Sequence, residues 1–375
     1  MKARDLGILF DGNPGKFNAI TDVAGVLVGH STIIEGEGKL LVGKGPIRTG
    51  VTAIFPCSEK TNEVLAGFFS YNGNGEMTGT HWIEETGRLR GPICITNTHS
   101  VGIARDTIIE WSVKNKLLKR QFSWSLPVVA ETYDGTLNDI NGFHVKQKHV
   151  FEALESAKTG DIEEGNVGGG TGMVCHQFKG GIGTSSRILT EDKGGYTVGV
   201  IVQANYGLRE HLTISGVPIG KEMKEELLPE IQIDKAHKEK PDDAGSIIVI
   251  VATDAPLIPY QLKRIAKRVT AGLARVGGYG SNSSGDIFLA FSTAKKLKTE
   301  EIPTMNLINF EVLDDRYVTP LFKTTAEATE EAIINAIINA ETMQGINNNT
   351  IFSIPHDRLR EILKKYNRLD EDRFR

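Results

Sequence analysis

The stretch Ile247-Ile248-Val249-Ile250-Val251-Ala252 carries no polar residue at any alternate position. A strand with one wet face alternates apolar and polar side chains. A continuous, largely β-branched run of this length marks a central strand buried on both faces. Such a strand needs cover, and the rest of the chain offers it. Residues 259–276 place Leu262, Ile265, Ala266, Val269, Leu273 and Val276 at spacings of three and four, with Lys263, Arg264, Lys267 and Arg268 on much of the other face. Gly277-Gly278 stops that helix. Residues 326–342 predict a second helix, with Ala326, Ile333, Ile334, Ile337 and Ile338 on its apolar stripe. Further helical spacing runs through 104–119 and through Val145 to Ala157. Val23 to Val28, Val51 to Pro56, Ile93 to Thr96, Leu126 to Ala130, Tyr196 to Gln203 and Ile287 to Phe291 read as strands. This alternation predicts an α/β (α+β) fold of sheets covered by helices, without internal repeats.

The chain has 375 residues, 39% of them apolar, which suffices for one large layered unit. Its formal charge of −4 and lack of a basic stripe argue against nucleic acid as a main partner. The short basic cluster Lys114, Lys116, Lys119 and Arg120 reads as a solvated helix end. No uninterrupted apolar run reaches the roughly 18 residues a membrane span needs. Leu6 to Phe10 is too short for a signal-peptide core, and three widely spaced cysteines, Cys57, Cys94 and Cys175, fit a reducing compartment. The expected location is the cytoplasm.

Immediately before the apolar run stands Asp243-Ala244-Gly245-Ser246. A cut before Ser246 would leave a hydroxyl nucleophile and an α-amine on one residue. That chemistry needs a hydroxyl residue at the head of a rigid strand and a small residue before it, so that the backbone can contort. It also needs an exposed upstream segment. Residues 218–242 are charged, with few large apolar side chains, and read as such a segment. An α-amine with a reference pKa of about 7.7–8.0 is partly neutral near pH 7 and can take the hydroxyl proton. The same residues also fit a plain loop entering a strand.

Other motifs fail. The glycine block Gly165 to Gly172 lacks the lysine of a phosphate-binding loop. No dinucleotide fingerprint, HExxH or GxSxG is present, and His81, His99 and His176 stand isolated in sequence. No metal or cofactor is implied.

Several separate blocks carry a resemblance. They are Asn18-Ala19-Ile20-Thr21-Asp22-Val23-Ala24-Gly25-Val26, Arg48-Thr49-Gly50-Val51-Thr52-Ala53-Ile54, and Gly73-Asn74-Gly75-Glu76-Met77-Thr78-Gly79-Thr80-His81-Trp82-Ile83. They continue through Thr96-Asn97-Thr98-His99-Ser100-Val101-Gly102, Gly165-Asn166-Val167-Gly168-Gly169-Gly170-Thr171-Gly172-Met173 and Gly183-Thr184-Ser185-Ser186-Arg187. Through them the chain resembles the L-aminopeptidase/D-esterase and β-peptidyl aminopeptidase family, serine peptidases of the N-terminal-nucleophile-like type. The resemblance implies a four-layer α-β-β-α sandwich built from two autoprocessed fragments, 1–245 and 246–375. It implies Ser246 as nucleophile, released by cleavage after Gly245, and Ser284 with Asp286 as a hydrogen-bonded relay near the new amine. Some relatives carry glutamate where this chain has Asp286. Asn205 would be the oxyanion-hole side chain, and Glu131 and Tyr133 would line the site, Glu131 holding the substrate ammonium.

The implied activity is release of N-terminal residues from short peptides, amides or esters with L-amino acid, D-alanine or β-amino acid ends. A homo-oligomer of processed pairs is also implied. An acyltransferase using the same ester intermediate, or an unprocessed non-catalytic binding protein, would share much of this sequence pattern.

Overall fold

The computed structural model describes residues 1–58, 63–118, 123–232, 245–297 and 311–370. Among the described residues, ten strands build its two main sheets. They are β1 (Leu27–Glu35), β2 (Ile47–Phe55), β3 (Glu63–Gly73), β4 (Arg88–Arg90), β5 (Ile93–Asn97), β6 (Val128–Thr132), β7 (Gly181–Ile188), β8 (Thr197–Asn205), β9 (Ser246–Thr253) and β10 (Gly285–Leu297). The helices that matter for the layers are α1 (Thr80–Thr86), α2 (Val101–Lys114), α3 (Gln147–Glu155), α4 (Pro259–Val276), α5 (Thr319–Ile338) and α6 (His356–Lys365). The first sheet has the order β1-β2-β5-β6 and the second β4-β3-β10-β9-β8-β7. Each contains one parallel pair, β5/β6 and β9/β10. Parallel neighbours need a crossover, and α2 and α4 supply them.

Three apolar layers alternate with the two sheets. The face of the first sheet carrying Val51, Ala53 and Val129 packs on Ala104, Ile108 and Trp111 of α2 and Val150 and Leu154 of α3. Ile54, Ile95 and Ala130 of the first sheet meet Ile201, Ile248, Ile250 and Leu289 of the second. The outer face of the second sheet, with Val249, Val251 and Phe288, packs on Leu262, Ile265 and Val269 of α4 and Ile333 and Ile337 of α5. The order of layers is therefore α-β-β-α. The unbroken apolar run finds its reason here: Ile247, Val249 and Val251 face the helices, while Ile248, Ile250 and Ala252 face the other sheet.

The amphipathic helix at 259–276 holds to the residue. The second strong helix runs over Thr319–Ile338 rather than 326–342. It starts early behind a proline in its first turn, and polar residues as well as apolar ones are buried along it. The expected helix at 104–119 spans Val101–Lys114, and position 119, with Arg120, lies outside the described residues. Val23 and Val26 are core residues, but the strand begins only at Leu27, after a 3-10 turn at Ile20–Asp22.

The reading of 218–242 as an exposed segment is corrected. Ile219 and Met223 are fully buried in the outer core, and only 233–242 of it, with Asp243 and Ala244, lie outside the described residues. Sequence periodicity missed β7, Gly-Ile-Gly-Thr-Ser-Ser-Arg-Ile, because the strand is buried by closeness rather than by apolar bulk. A Cβ on Gly183 would stand 2.0 Å from the Ala332 carbonyl oxygen of α5. Beside it Ser185 donates to the Ala328 carbonyl at 2.5 Å. Among the described residues no helix is long and apolar enough to cross a membrane.

Candidate active site

Strand pairing brings the central residues together. Ser246 opens β9 opposite Asn205, the last residue of antiparallel β8, and beside Gly285, the first residue of parallel β10. Side chains directly opposite on an antiparallel pair share a face. By alternation with Ile248 and Ile201, Ser246 and Asn205 both point between the sheets. Ser246 is 4% exposed and Asn205 8%.

The Gly245 carbonyl, which precedes Ser246, accepts a hydrogen bond from the Gly285 N–H at 3.0 Å. Gly245 itself is tightly seated. A Cβ there would lie 2.6 Å from Tyr206 Cα and 2.7 Å from the Asn205 carbonyl oxygen.

Asn205 is held at both ends of its amide. Its Oδ1 accepts from the Val174 N–H at 2.8 Å, and its Nδ2 donates to the Tyr133 carbonyl at 3.0 Å. An amide nitrogen carries two protons, so one donor remains for a ligand oxygen. Ser284 and Asp286 flank Gly285, are both buried, and are joined by Ser284 Oγ donating to Asp286 Oδ1 at 2.7 Å. Sequence reading gave no role to Asn72, and to Asn74 only a place in the Gly73 to Ile83 block, yet both clamp this turn. Asn72 Nδ2 donates to the Ser281 carbonyl, and Asn74 Nδ2 to the Ser283 carbonyl at 2.6 Å.

Glu131, at the end of β6, is 4% exposed. Its Oε1 accepts from the Glu76 N–H at 3.0 Å and its Oε2 from Thr98 Oγ1 at 2.5 Å. Burial pushes its carboxyl above the usual range, against the opposing pull of those two hydrogen bonds. A Cβ on Gly75 would sit 3.2 Å from Glu131 Oε1 and 3.2 Å from Gly285 Cα, so the carboxylate borders the β9–β10 junction. Tyr133 enters the group through its backbone carbonyl. Its side chain is half exposed and its hydroxyl folds over Gly135.

A cavity of about 450 Å³ lies elsewhere, lined in part by Trp82, Arg88, Arg90 and Trp124. None of the residues above borders it. The glycine block is absorbed by packing: Gly168, Gly169 and Gly170 form a buried 3-10 turn between the sheets.

The model of peptidase family S58 matches residues 18–351, most of the chain. The chain belongs to peptidase family S58. It is 52% identical over 374 residues to the β-peptidyl aminopeptidase BapA of Sphingosinicella microcystinivorans, covering 98% of this chain and 93% of that one. Two solved structures superpose over nearly its whole length. The PH0078 protein of Pyrococcus horikoshii OT3 gives a TM-score of 0.90 at 46% identity, covering 98% of this chain and all of that one. The L-aminopeptidase D-Ala-esterase/amidase of Ochrobactrum anthropi, described as a prototype for the serine aminopeptidases with a variant of the Ntn hydrolase fold, gives 0.88 at 45% identity, with 98% and 99% covered. The family S58 chain described above is thus a serine aminopeptidase, an enzyme of the Ntn-hydrolase-like α-β-β-α architecture.

Proposed function

We propose that this enzyme cleaves its own chain between Gly245 and Ser246, and then uses Ser246 to release N-terminal residues from short peptides, amides or esters. The observation that carries the reading is the convergence of Ser246, Asn205, Gly285 and the Ser284–Asp286 pair at one strand junction. In self-cleavage, Ser246 Oγ attacks the Gly245 carbonyl carbon. The Gly285 N–H, already bonded to that carbonyl oxygen, steadies the developing oxyanion. The Oγ proton passes to the Ser246 nitrogen as the peptide C–N bond breaks, leaving a free α-amine and the Gly245 acyl group as an ester on Ser246 Oγ, and water hydrolyses that ester. Fragments 1–245 and 246–375 then stay packed as one α-β-β-α unit.

In turnover, the α-amine of Ser246 accepts the Oγ proton as Oγ attacks the first substrate carbonyl. The Ser284–Asp286 pair beside Gly285 tunes that amine. The second Nδ2 proton of Asn205 goes to the oxyanion; one such donor is worth about 3–4 kcal/mol. The leaving amine carries off the proton, and water releases the acyl group. Glu131 takes the substrate ammonium. A β-amino acid end is the first substrate to test, because the BapA relative is named for that specificity. N-terminal sequencing of the smaller fragment tests the processing step: the reading expects Ser-Ile-Ile-Val. Three buried cysteines unjoined by disulfides support a cytoplasmic setting. Assembly of processed pairs into a homo-oligomer is part of the same proposal, and light scattering of processed protein tests it.

Two further outcomes follow. Gly245→Ala places a methyl against backbone atoms that cannot swing aside, and overpacking of this kind costs roughly 1–3 kcal/mol. Precursor cleavage should slow by on the order of 10-fold, read as the decay of the 375-residue band with time. Glu131→Gln should raise KM for substrates with an ionised amine by roughly 10–100-fold, the worth of a hydrogen bond to a charged group, while kcat moves less. Because burial raises the Glu131 carboxyl, it takes up its proton at a higher pH than an exposed glutamate. KM in the wild type should therefore climb on the acid side, and in Glu131→Gln that climb should be gone.

A further inference from the structure

Lys179 is fully buried, and among the described residues it makes no ion pair. A charge in that position is costly unless its protons are used. All three are aimed at backbone carbonyls: Met173 at 2.8 Å, Gly180 at 2.8 Å and Gly170 at 3.4 Å. The Met173 carbonyl belongs to the same peptide unit as the Val174 N–H, and that N–H is the donor to Asn205 Oδ1 at 2.8 Å. The Asn205 amide then directs one Nδ2 proton to the Tyr133 carbonyl and leaves the other on the face shared with Ser246.

We propose that Lys179 is a positioning residue for the oxyanion donor: its ammonium fixes and polarises the Met173–Val174 peptide, and that peptide fixes and polarises the Asn205 amide. This rests on the reading of Asn205 given above. Two amide units in series carry the influence of the buried charge to the reacting oxygen. Each hydrogen bond in such a chain strengthens the next by about 10–30%. The backbone of Lys179 is itself anchored, its N–H donating to the Phe352 carbonyl at 2.8 Å. Burial pushes the lysine down to about 7, opposed by its neighbours Cys175 and Asp134. Burial in turn pushes Asp134 up to about 6.

The test compares wild type, Lys179→Met, Asn205→Ala and the double variant, with kcat scaled to the amount of fragment beginning at Ser246. Lys179→Met should lower kcat about 10-fold with KM within about twofold. The double variant should be no slower than Asn205→Ala alone, since residues acting through one group do not add. Additive losses, or wild-type kcat in folded Lys179→Met, would overturn the proposal. Wild-type kcat in Asn205→Ala would instead sink the reading of Asn205. If Lys179→Met does not fold, the wild-type enzyme answers. With ¹³C-lysine and ¹⁵N-valine labels, the Val174 amide resonance should titrate with the midpoint of Lys179, distinguished from Asp134 by the lysine carbon shift. A Val174 amide indifferent to that midpoint refutes the link.

Discussion

A Ser246→Ala variant is expected to run as one 41.0 kDa chain on a denaturing gel, under conditions where the wild type is expected to give two fragments. The substitution removes one oxygen from a buried strand position and leaves the backbone pairing with Asn205 and Gly285 untouched. The fold should therefore persist, and a thermal melt should show a single cooperative transition near that of the wild-type precursor. Both proposed reactions use the same oxygen, so both should stop together. Removal of a hydroxyl nucleophile costs on the order of 10⁶ in kcat in a serine hydrolase. Ser246→Cys keeps a nucleophile of similar size and should retain slow processing. A variant without Oγ that still yields a fragment starting at residue 246 would assign the cut to another group, and the proposed mechanism would fall.

How much of this was legible in the sequence depends on the range of each interaction. The strand at Ile247 announced itself because both its faces are apolar, and α4 because Leu262, Ile265, Val269 and Leu273 all enter one core. The Ser284–Asp286 pair is local, two residues apart, yet its role, like those of Asn205 and Glu131, was implied only by the family resemblance. Asn205 differs in range. Its partners Val174 and Tyr133 stand 31 and 72 residues away, and only the two-sheet packing joins them. Glu131 likewise depends on Thr98 and Glu76 from other segments. Lys179, between Phe178 and Gly180, looks like any solvated lysine until the fold buries it. The strand β7 escaped notice for the converse reason. Its small and polar residues fill a buried site in which contact with α5 leaves no room for apolar bulk.

The far end of that strand carries the largest expected effect on stability. Arg187 and Glu331 are both 0% exposed and paired at 2.6 Å. Glu331 also accepts from Arg4 Nε at 3.0 Å and from Asn18 Nδ2 at 2.6 Å, so one carboxylate ties α5, β7 and the N-terminal segment together. Three more Arg187 protons go to carbonyls of Asp11, Ser186 and Glu327. Glu331→Gln keeps the shape but strands the Arg187 charge in the interior, which costs about 3–5 kcal/mol. At roughly 2.1 cal/mol/K of unfolding entropy per residue, that lowers Tm by about 4–6 °C. Arg187 lies beside Val198, and Asn205 is seven residues further along β8, roughly 24 Å at the usual strand rise. The variant should therefore melt earlier while its kcat at 25 °C stays within about twofold of wild type. Adding Arg187→Met should recover part of the loss, since the stranded charge goes with it. Full recovery is not expected, because the Asp11, Ser186 and Glu327 carbonyls lose their donor. If Glu331→Gln melts with wild type, the pair holds less of the fold together than its burial implies. If kcat falls in step with Tm, the two ends of the sheet are coupled.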